Sequence, residues 1–304
     1  MIFKTLVRSI SIPIMERKSL HFAFMVILGL LFVSCNSSNE PVSPSQYRIS
    51  WIHSDSSLQL FDYDSSGRIS IWKYVDSTQI PSDEYNSTYK YFEEEGLIEI
   101  SSEEKRGADT WIFKEKLFLN QDGTASHANG NVTIMKDGEY LLIKKNYVVE
   151  FHYNSLRQLT NIGIVEKRAD DTGWEEATGL EWFIELEWKE NNLIKYAEYS
   201  NINKPSFCRT FAYYGGETVH YMPILQGSIL RHYYLPLQYQ GLFGSQSVGL
   251  VKDMTVFSNS TTNSSTLSYD ISTSIYSSAI EGYSILINGK EIKYTVSWES
   301  YNQN

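Results

Sequence analysis

Five times between residues 58 and 196 the chain places apolar or aromatic side chains two positions apart, breaks for a polar turn of three to five residues, and resumes the alternation. The segments are LQLFDYDSSGRISIWKYV (58–75), TYKYFEEEGLIEI (88–100), KLFLNQDGTAS (116–126), VVEFHYNSLRQL (148–159) and ELEWKENNLIKY (185–196). A period of two marks a strand with one buried face, because successive side chains leave a pleated strand on opposite sides. In the first segment Phe61 and Tyr63 share a face, Asp64-Ser65-Ser66-Gly67 makes a turn headed by Asp, and Ile69 and Ile71 are expected to return to that face. The turn points Gly67, Gly96, Gly123, Arg157 and Asn192 lie 29, 27, 34 and 35 residues apart. Asp137-Gly138 and Asn288-Gly289 add two-residue turn signals. No long segment has helical periodicity with caps, and only a short helix is expected, near 223–232. The pattern predicts an all-β fold: one large curved antiparallel up-and-down meander, an open or partial barrel, built from repeated hairpins. The 22 Tyr, 14 Phe and 7 Trp suit such pleated, half-buried surfaces.

The start of the chain obeys a different rule. Phe22 to Val33 is a run of uncharged residues that as a helix spans ~18 Å, short of the ~30 Å of a bilayer core. With Arg17 and Lys18 upstream it fits the apolar region of an export signal, and Met15 is the expected start of translation. Leu31-Phe32-Val33-Ser34-Cys35 resembles a bacterial lipobox, with Phe32 where Leu is usual. That resemblance implies lipidation of Cys35 and an outer-membrane lipoprotein, since Asn36 rather than Asp follows. Several acyl chains on one residue anchor stably where a single chain binds only marginally. The division expected is a lipoprotein signal over 1–34, a flexible tether over 35–46 (NSSNEPVSPSQ after Cys35) and a single β domain over 47–304.

The residues also carry a family likeness. FDYDSSGRI resembles the tyrosine-aspartate repeat theme, and Leu58 to Tyr301 is similar to a group of Bacteroidota lipoproteins of unknown function with a porin-like fold. YAEYSNINKPSF (196–207) resembles that group's Tyr-x-x-Asn-x-x-Asn-Pro-Phe segment, with Lys204 intruding before Pro205. LFGSQSVGLVKDMTVF (242–257) resembles its later turn and strand, and EGYSILINGKEIKYTVSWESY (281–301) its closing strand pair, without the Asp that precedes Gly-Tyr. The likeness implies a curved antiparallel sheet and no activity, because none is established for the group. Membrane barrels alternate too, but the anchor and the Glu and Lys on the strands' outer faces favour a sheet tethered beside the bilayer.

Chemistry leaves few traces. Four of the 26 basic and one of the 36 acidic side chains fall in residues 1–34, so the remainder carries a net charge of −13; that argues against nucleic acid as a partner. There is no Gly-rich phosphate loop, HExxH or Gly-x-Ser-x-Gly, and the six His share no ligand spacing, so no metal, cofactor or enzyme activity is expected. In GLEWFIELEWKENN (179–192), Leu180, Trp182, Ile184, Leu186 and Trp188 fall on one face of a strand and Glu181, Phe183, Glu185 and Glu187 on the other. Alternate carboxylates on a strand are ~6.8 Å apart, inside the ~6.5–9.5 Å range of inverting glycosidases. Side by side on one strand they cannot flank a bond from opposite sides, so a solvated acidic face is the expectation. Glu103-Glu104 is read as a hairpin tip, and Cys208 as an inert buried thiol. Trp182 and Trp188 are the candidates for stacking on a ligand. The function expected is a non-catalytic, lipid-anchored cell-envelope protein offering a β surface to a glycan or an envelope protein, with a structural or assembly factor as the alternative and a glycosidase behind both.

Overall fold

The alternating segments become strands of one sheet. A computed structural model describes residues 47–78, 81–136, 139–170, 173–174, 182–199, 205–214, 232–247, 249–258, 261–271, 280–287 and 289–300. The expected signal over 1–34, Cys35 and the expected tether lie outside these residues. The first strands are β1 (Tyr47–Ser54), β2 (Ser57–Tyr63), β3 (Ile69–Asp76), β4 (Asp83–Phe92), β5 (Leu97–Arg106) and β6 (Asp109–Leu119). They continue as β7 (Ala125–Lys136), β8 (Glu139–Tyr153), β9 (Leu159–Asp170), the two-residue β10 (Gly173–Trp174), β11 (Trp182–Lys189) and β12 (Asn192–Tyr199). The last are β13 (Phe207–Tyr213), β14 (Val251–Ser258), β15 (Thr261–Ile271), β16 (Ile280–Ile287) and β17 (Lys290–Ser300). A 3-10 turn at His232–Tyr234 leads into one short helix, α1 (Leu235–Tyr239). The helix expected near 223–232 falls almost wholly outside the described residues; the helical turn seen begins at His232.

Neighbouring strands pair antiparallel in chain order, β9 passing to β11 through Ile164↔Trp182. β17 then pairs β1 from Tyr47↔Ser300 to Ser54↔Tyr294, and β1 pairs β2. The sheet is a closed barrel of sixteen strands, with β10 a short extension on β9. The expected open or partial barrel is therefore corrected. Closure joins strands about 250 positions apart, a contact that no local alternation announces.

The wall has opposite polarities on its two sides. Inward positions carry Phe61, Trp72, Tyr85, Tyr89, Ile98, Ile100, Phe113, Leu117 and their counterparts round the ring, all buried. Outward positions include Glu84, Asn86, Thr88 and Lys90 on β4, Lys114 and Lys116 on β6, Glu150 and His152 on β8, and Glu291 and Lys293 on β17, all exposed. On β11 the expected division holds: Ile184 and Leu186 are buried, while Glu185 and Glu187 both pair with Lys195 outside.

Hairpins at one end of the barrel share a construction. Asp64, Asn120 and Asn154 each head a four-residue turn closed by a backbone bond from Gly67, Gly123 or Arg157, all three at positive φ. The Asp64 carboxylate accepts from the Ser66 and Arg68 amides, and the Asn154 carbonyl oxygen from those of Leu156 and Gln158. Just past the turn a bulge skips one residue of the returning strand, as in Asp62↔Ile71 followed by Tyr63↔Ile69. The same skip occurs at Leu119↔Ala125, Tyr153↔Leu159, Trp188↔Leu193 and Tyr213↔Val251. It reverses parity, so Ile69 and Trp72 face inward while Ile71, expected inside, faces out opposite Asp62.

A bulge interrupts the ladder and leaves a main-chain carbonyl needing a donor. An aromatic side chain from a nearby strand supplies it. Tyr91 donates to Ile69 O at 2.9 Å, Trp188 Nε1 to Leu159 O at 2.7 Å, Tyr213 to Leu193 O at 2.6 Å, and Tyr63 to Ile49 O, beside the bulge of β1, at 2.6 Å.

The β13–β14 connection fills the bore. Tyr233 donates to Glu115 Oε2 at 2.7 Å, lies 2.8 Å from the Tyr147 hydroxyl, and takes the Tyr89 hydroxyl on its own carbonyl at 2.8 Å. Tyr234 packs on Phe151 and Phe243, and Tyr239 meets Phe61 edge to face. The segment then runs under the turns: Ala125 N donates to Leu242 O, Ser245 N to Arg157 O, and Leu193 N to Ser247 Oγ. This end is called closed here, and the other, where β1–β2, β3–β4 and β5–β6 turn, the rim.

Removing an aromatic donor should expose the cost of the bulges. Tyr213→Phe and Trp188→Phe should each lower unfolding free energy by about 1–2 kcal/mol, since a carbonyl in a buried setting loses its partner. Urea denaturation of each variant against the wild type checks this.

Candidate functional site

At the rim the inward alternation brings a polar cluster into an aromatic wall. β5 ends Ser102, Glu103, Glu104, Lys105, Arg106, and parity sends Glu104 and Arg106 inward while Glu103 and Lys105 face water. Glu104 is completely buried, and Arg106 Nη2 pairs with its Oε2. His232 enters from the plug with Nδ1 3.9 Å from the same oxygen and 3.5 Å from Arg106 Nη2. Its ring packs against that of Tyr85 with centroids 4.6 Å apart and the planes tilted by 53°. The Arg106 guanidinium lies 5.3 Å from the Trp111 ring centre and 5.9 Å from that of Tyr85, in cation–π range.

The wall continues along β3. Trp72 and Tyr74 are parallel at 6.0 Å, and Tyr74 packs on Tyr85 at 5.4 Å while donating to Asp76 Oδ2 at 3.2 Å. On β16 and β17, Tyr283 and Tyr294 stack at 4.6 Å. Tyr74, Trp111, Tyr283 and Tyr294 face inward yet are only half-buried. Aromatic faces are thus accessible beside Glu104 Oε1 and Arg106 Nε, two buried polar atoms with no hydrogen-bond partner among the described residues.

The electrostatics fix the states of these groups. Burial alone would raise the Glu104 carboxyl, but His232 and the Arg106 guanidinium outweigh it and hold it below the usual range. Burial pushes the Tyr85 hydroxyl up to about 12, against the pull of Arg106. Glu104 is therefore an ionised acceptor, unsuited to donating a proton, and Tyr85 a neutral donor. An acceptor, a fixed cation and open aromatic faces suit a polar ring-bearing molecule, held by hydrogen bonds and stacking.

A second buried acid lies near the rim on β12 and β13. Tyr196 donates to Glu198 Oε1 at 2.7 Å, and the Arg209 guanidinium lies 4.9 Å from the Phe207 ring centre, where burial lowers its pKa against the pull of Glu198.

The two tryptophans singled out from the sequence separate. Both face inward and pack on the core. Trp182 opens β11 at its rim end, opposite Ile164; Trp188 lies at the closed end, its indole N–H committed to Leu159 O. Glu104, read as part of a hairpin tip, is instead a strand residue pointing into the barrel. Its parity with Ile98, Ile100 and Ser102 was the signal available. Cys208 is half-buried on the outer side of β13 opposite Ala197, and burial raises its thiol. Among the described residues no three His, Cys, Asp or Glu side chains could hold a metal ion. Cys35 lies outside the described residues.

No protein-family model and no curated protein matches the chain. Among solved structures it is similar to a porin-like protein from Bacteroides uniformis, with a TM-score of 0.53 and 15% identity over 83% of this chain and 96% of that one. A porin-like protein from Bacteroides vulgatus matches over 84% of this chain and 99% of its own, with 12% identity and a TM-score of 0.38. The chain has a porin-like fold.

Removing the Arg106 charge should uncover the buried acid. A carboxyl whose folded pKa is depressed contributes stability above its unfolded pKa and loses it as pH falls through the folded value. Arg106→Met should therefore cost about 1–3 kcal/mol at pH 7, less than a fully buried pair because 37% of the Arg106 side chain is in water. The deficit should shrink once Glu104 is protonated below the ordinary carboxylate range. Urea unfolding across that pH interval measures both effects.

Proposed function

We propose that this is a lipid-anchored, non-catalytic cell-envelope protein whose barrel binds a glycan at its rim. The observation that carries the reading is the polarity of the wall. A membrane barrel faces lipid with an apolar band, and a Lys or Arg at the bilayer midplane costs about 2–4 kcal/mol. Here Lys73 and Lys114 stand at mid-strand on the outside, and the fully buried aromatic side chains are turned inward, while Phe183, Tyr199 and Phe257 lie among the outward residues. Such a barrel is suited to stand in water beside a bilayer, tethered through Cys35 by the segment before Tyr47. The lipobox-like sequence and the likeness to a Bacteroidota lipoprotein group belong to this proposal and support an outer-membrane setting.

Binding rather than turnover follows from the rim chemistry. Glu104 is held ionised, Arg106 cannot act as a base, and accessible aromatic faces accompany them, as sugar recognition requires. Two measurements test the reading. Labelled palmitate should enter the wild-type protein in cells and not Cys35→Ser, which should be released unlabelled; an unlabelled wild type would defeat the anchoring. On a glycan array the protein should retain a saccharide that Trp111→Ala and Tyr74→Ala lose while still folded. Saccharide retained equally by both variants would overturn the rim site, and stoichiometric capture of an envelope protein in its place would favour an assembly role.

A further inference from the structure

A second concave surface lies on the outside of the barrel, across β4 to β8, with a cavity volume of about 810 Å³. That is within the usual size of ligand sites. Two ladders of outward side chains line it. Strand pairing aligns Thr88, Ser101, Lys114, Asn131 and Asn146 in one row, and Lys90, Glu99, Lys116, Asn129 and Val148 in the other. Each row crosses five strands, about 19 Å at the normal interstrand spacing, and the rows stand about 7 Å apart.

The hollow has a structural cause. Between the rows runs the inward row Tyr89, Ile100, Glu115, Gly130 and Tyr147. A Cβ on Gly130 would meet the Tyr147 ring at 2.4 Å, so the missing side chain lets that ring lie directly against the β7 backbone. Tyr147 and Glu115 are both held from inside by Tyr233. The wall is fixed inward at its middle, and the outer face is concave there.

The charge of the trough opposes that of the protein. Lys116 leans on Glu99 at 3.5 Å. Among the described residues neither Lys114 nor Lys90 has an ion pair, and Lys90 lies over the Phe92 ring at 4.7 Å. Three amides, two hydroxyls and the apolar Val148 fill the remaining places. We infer that this trough binds an acidic oligosaccharide, a sugar chain bearing carboxylate or sulfate groups, laid across the strands. The lysines meet its charges, and the asparagines, each both donor and acceptor, meet its hydroxyls. An extended peptide binds chiefly by adding to a free sheet edge, whereas β4 to β8 are all paired on both sides. A single-stranded nucleic acid needs aromatic platforms, and the one aromatic lining the trough, Tyr147, is 1% exposed. This site is separate from the rim and does not rest on it.

The test is titration calorimetry of the folded protein with an oligogalacturonate and a chondroitin sulfate oligosaccharide, alongside neutral dextran and poly-glutamate. At least one acidic sugar should bind, with affinity falling as salt rises. The double variant Lys114→Glu, Lys116→Glu should weaken it roughly tenfold or more. Lys293→Glu, also exposed but on β17, should leave it unchanged, and circular dichroism should show both variants folded. Asn131→Ala with Asn146→Ala should weaken binding without altering its salt dependence. No binding of either acidic sugar, equal binding of dextran, binding of poly-glutamate at the same affinity, or indifference to the lysine double variant would each overturn the inference.

Discussion

A closed sheet of sixteen strands encloses more space than the side chains of its wall can fill. Eight strands leave a bore that side chains pack, whereas sixteen leave a channel. An aromatic lining around an empty bore would be exposed to water, so this barrel depends on chain from outside the sheet. The β13–β14 connection provides it. Tyr233, Tyr234, Leu235 and Leu237 are buried at the centre, and the three hydrogen bonds of Tyr233 tie the insert to β4, β6 and β8 together. Glu115 is tolerated in the core because the plug brings a hydroxyl to it; without the insert a carboxylate would face an apolar cavity, a costly placement.

The inserted segment also explains why the closed end is built so uniformly. Bulges beside the turns of four hairpins, and a fifth where the inserted segment returns into β14, put Ile69, Ala125, Leu159, Leu193 and Val251 into the interior, all buried. Each bulge sharpens the local twist and bends its strand, drawing the wall over the plug. The carbonyls of Ile69, Leu159 and Leu193 are met by Tyr and Trp donors from neighbouring strands, which gives these residues a mechanical role at the bulges. They bury a large ring and bring one polar atom to the place where the ladder fails.

Much of this was legible in the chain. The hairpins, their order and the faces of β11 follow from alternation, and Asp64, Gly67 and Gly123 mark turns whose geometry is as expected. What alternation cannot display is an extra residue that flips its phase. Ser70 sits between Ile69 and Ile71, and nothing local says that the pair straddles a bulge, so alternation alone puts Ile71 on the wrong face. Closure was hidden for a different reason: β1 and β17 are distant in sequence and neither carries a mark of its partner. Glu104 was hidden by its neighbours, since Glu103, Glu104, Lys105 and Arg106 read as a solvated charge run. Only the parity running from Ile98 shows that alternate members of that run face inward.

The inner and outer surfaces are two sides of one wall, and β4 to β8 show how closely they are linked. A strand offers every second residue to each side, so the row that anchors Tyr233 from within necessarily separates two rows that face water. Gly130 belongs to the inner row, yet by admitting the Tyr147 ring it fixes the curvature that the outer rows share. A side chain there would push ring and backbone apart and flatten the trough while loosening the plug, although it would touch no outward residue. The packing that fills the bore is thus the same packing that shapes the exterior, and the glycine at its centre is where the two requirements meet.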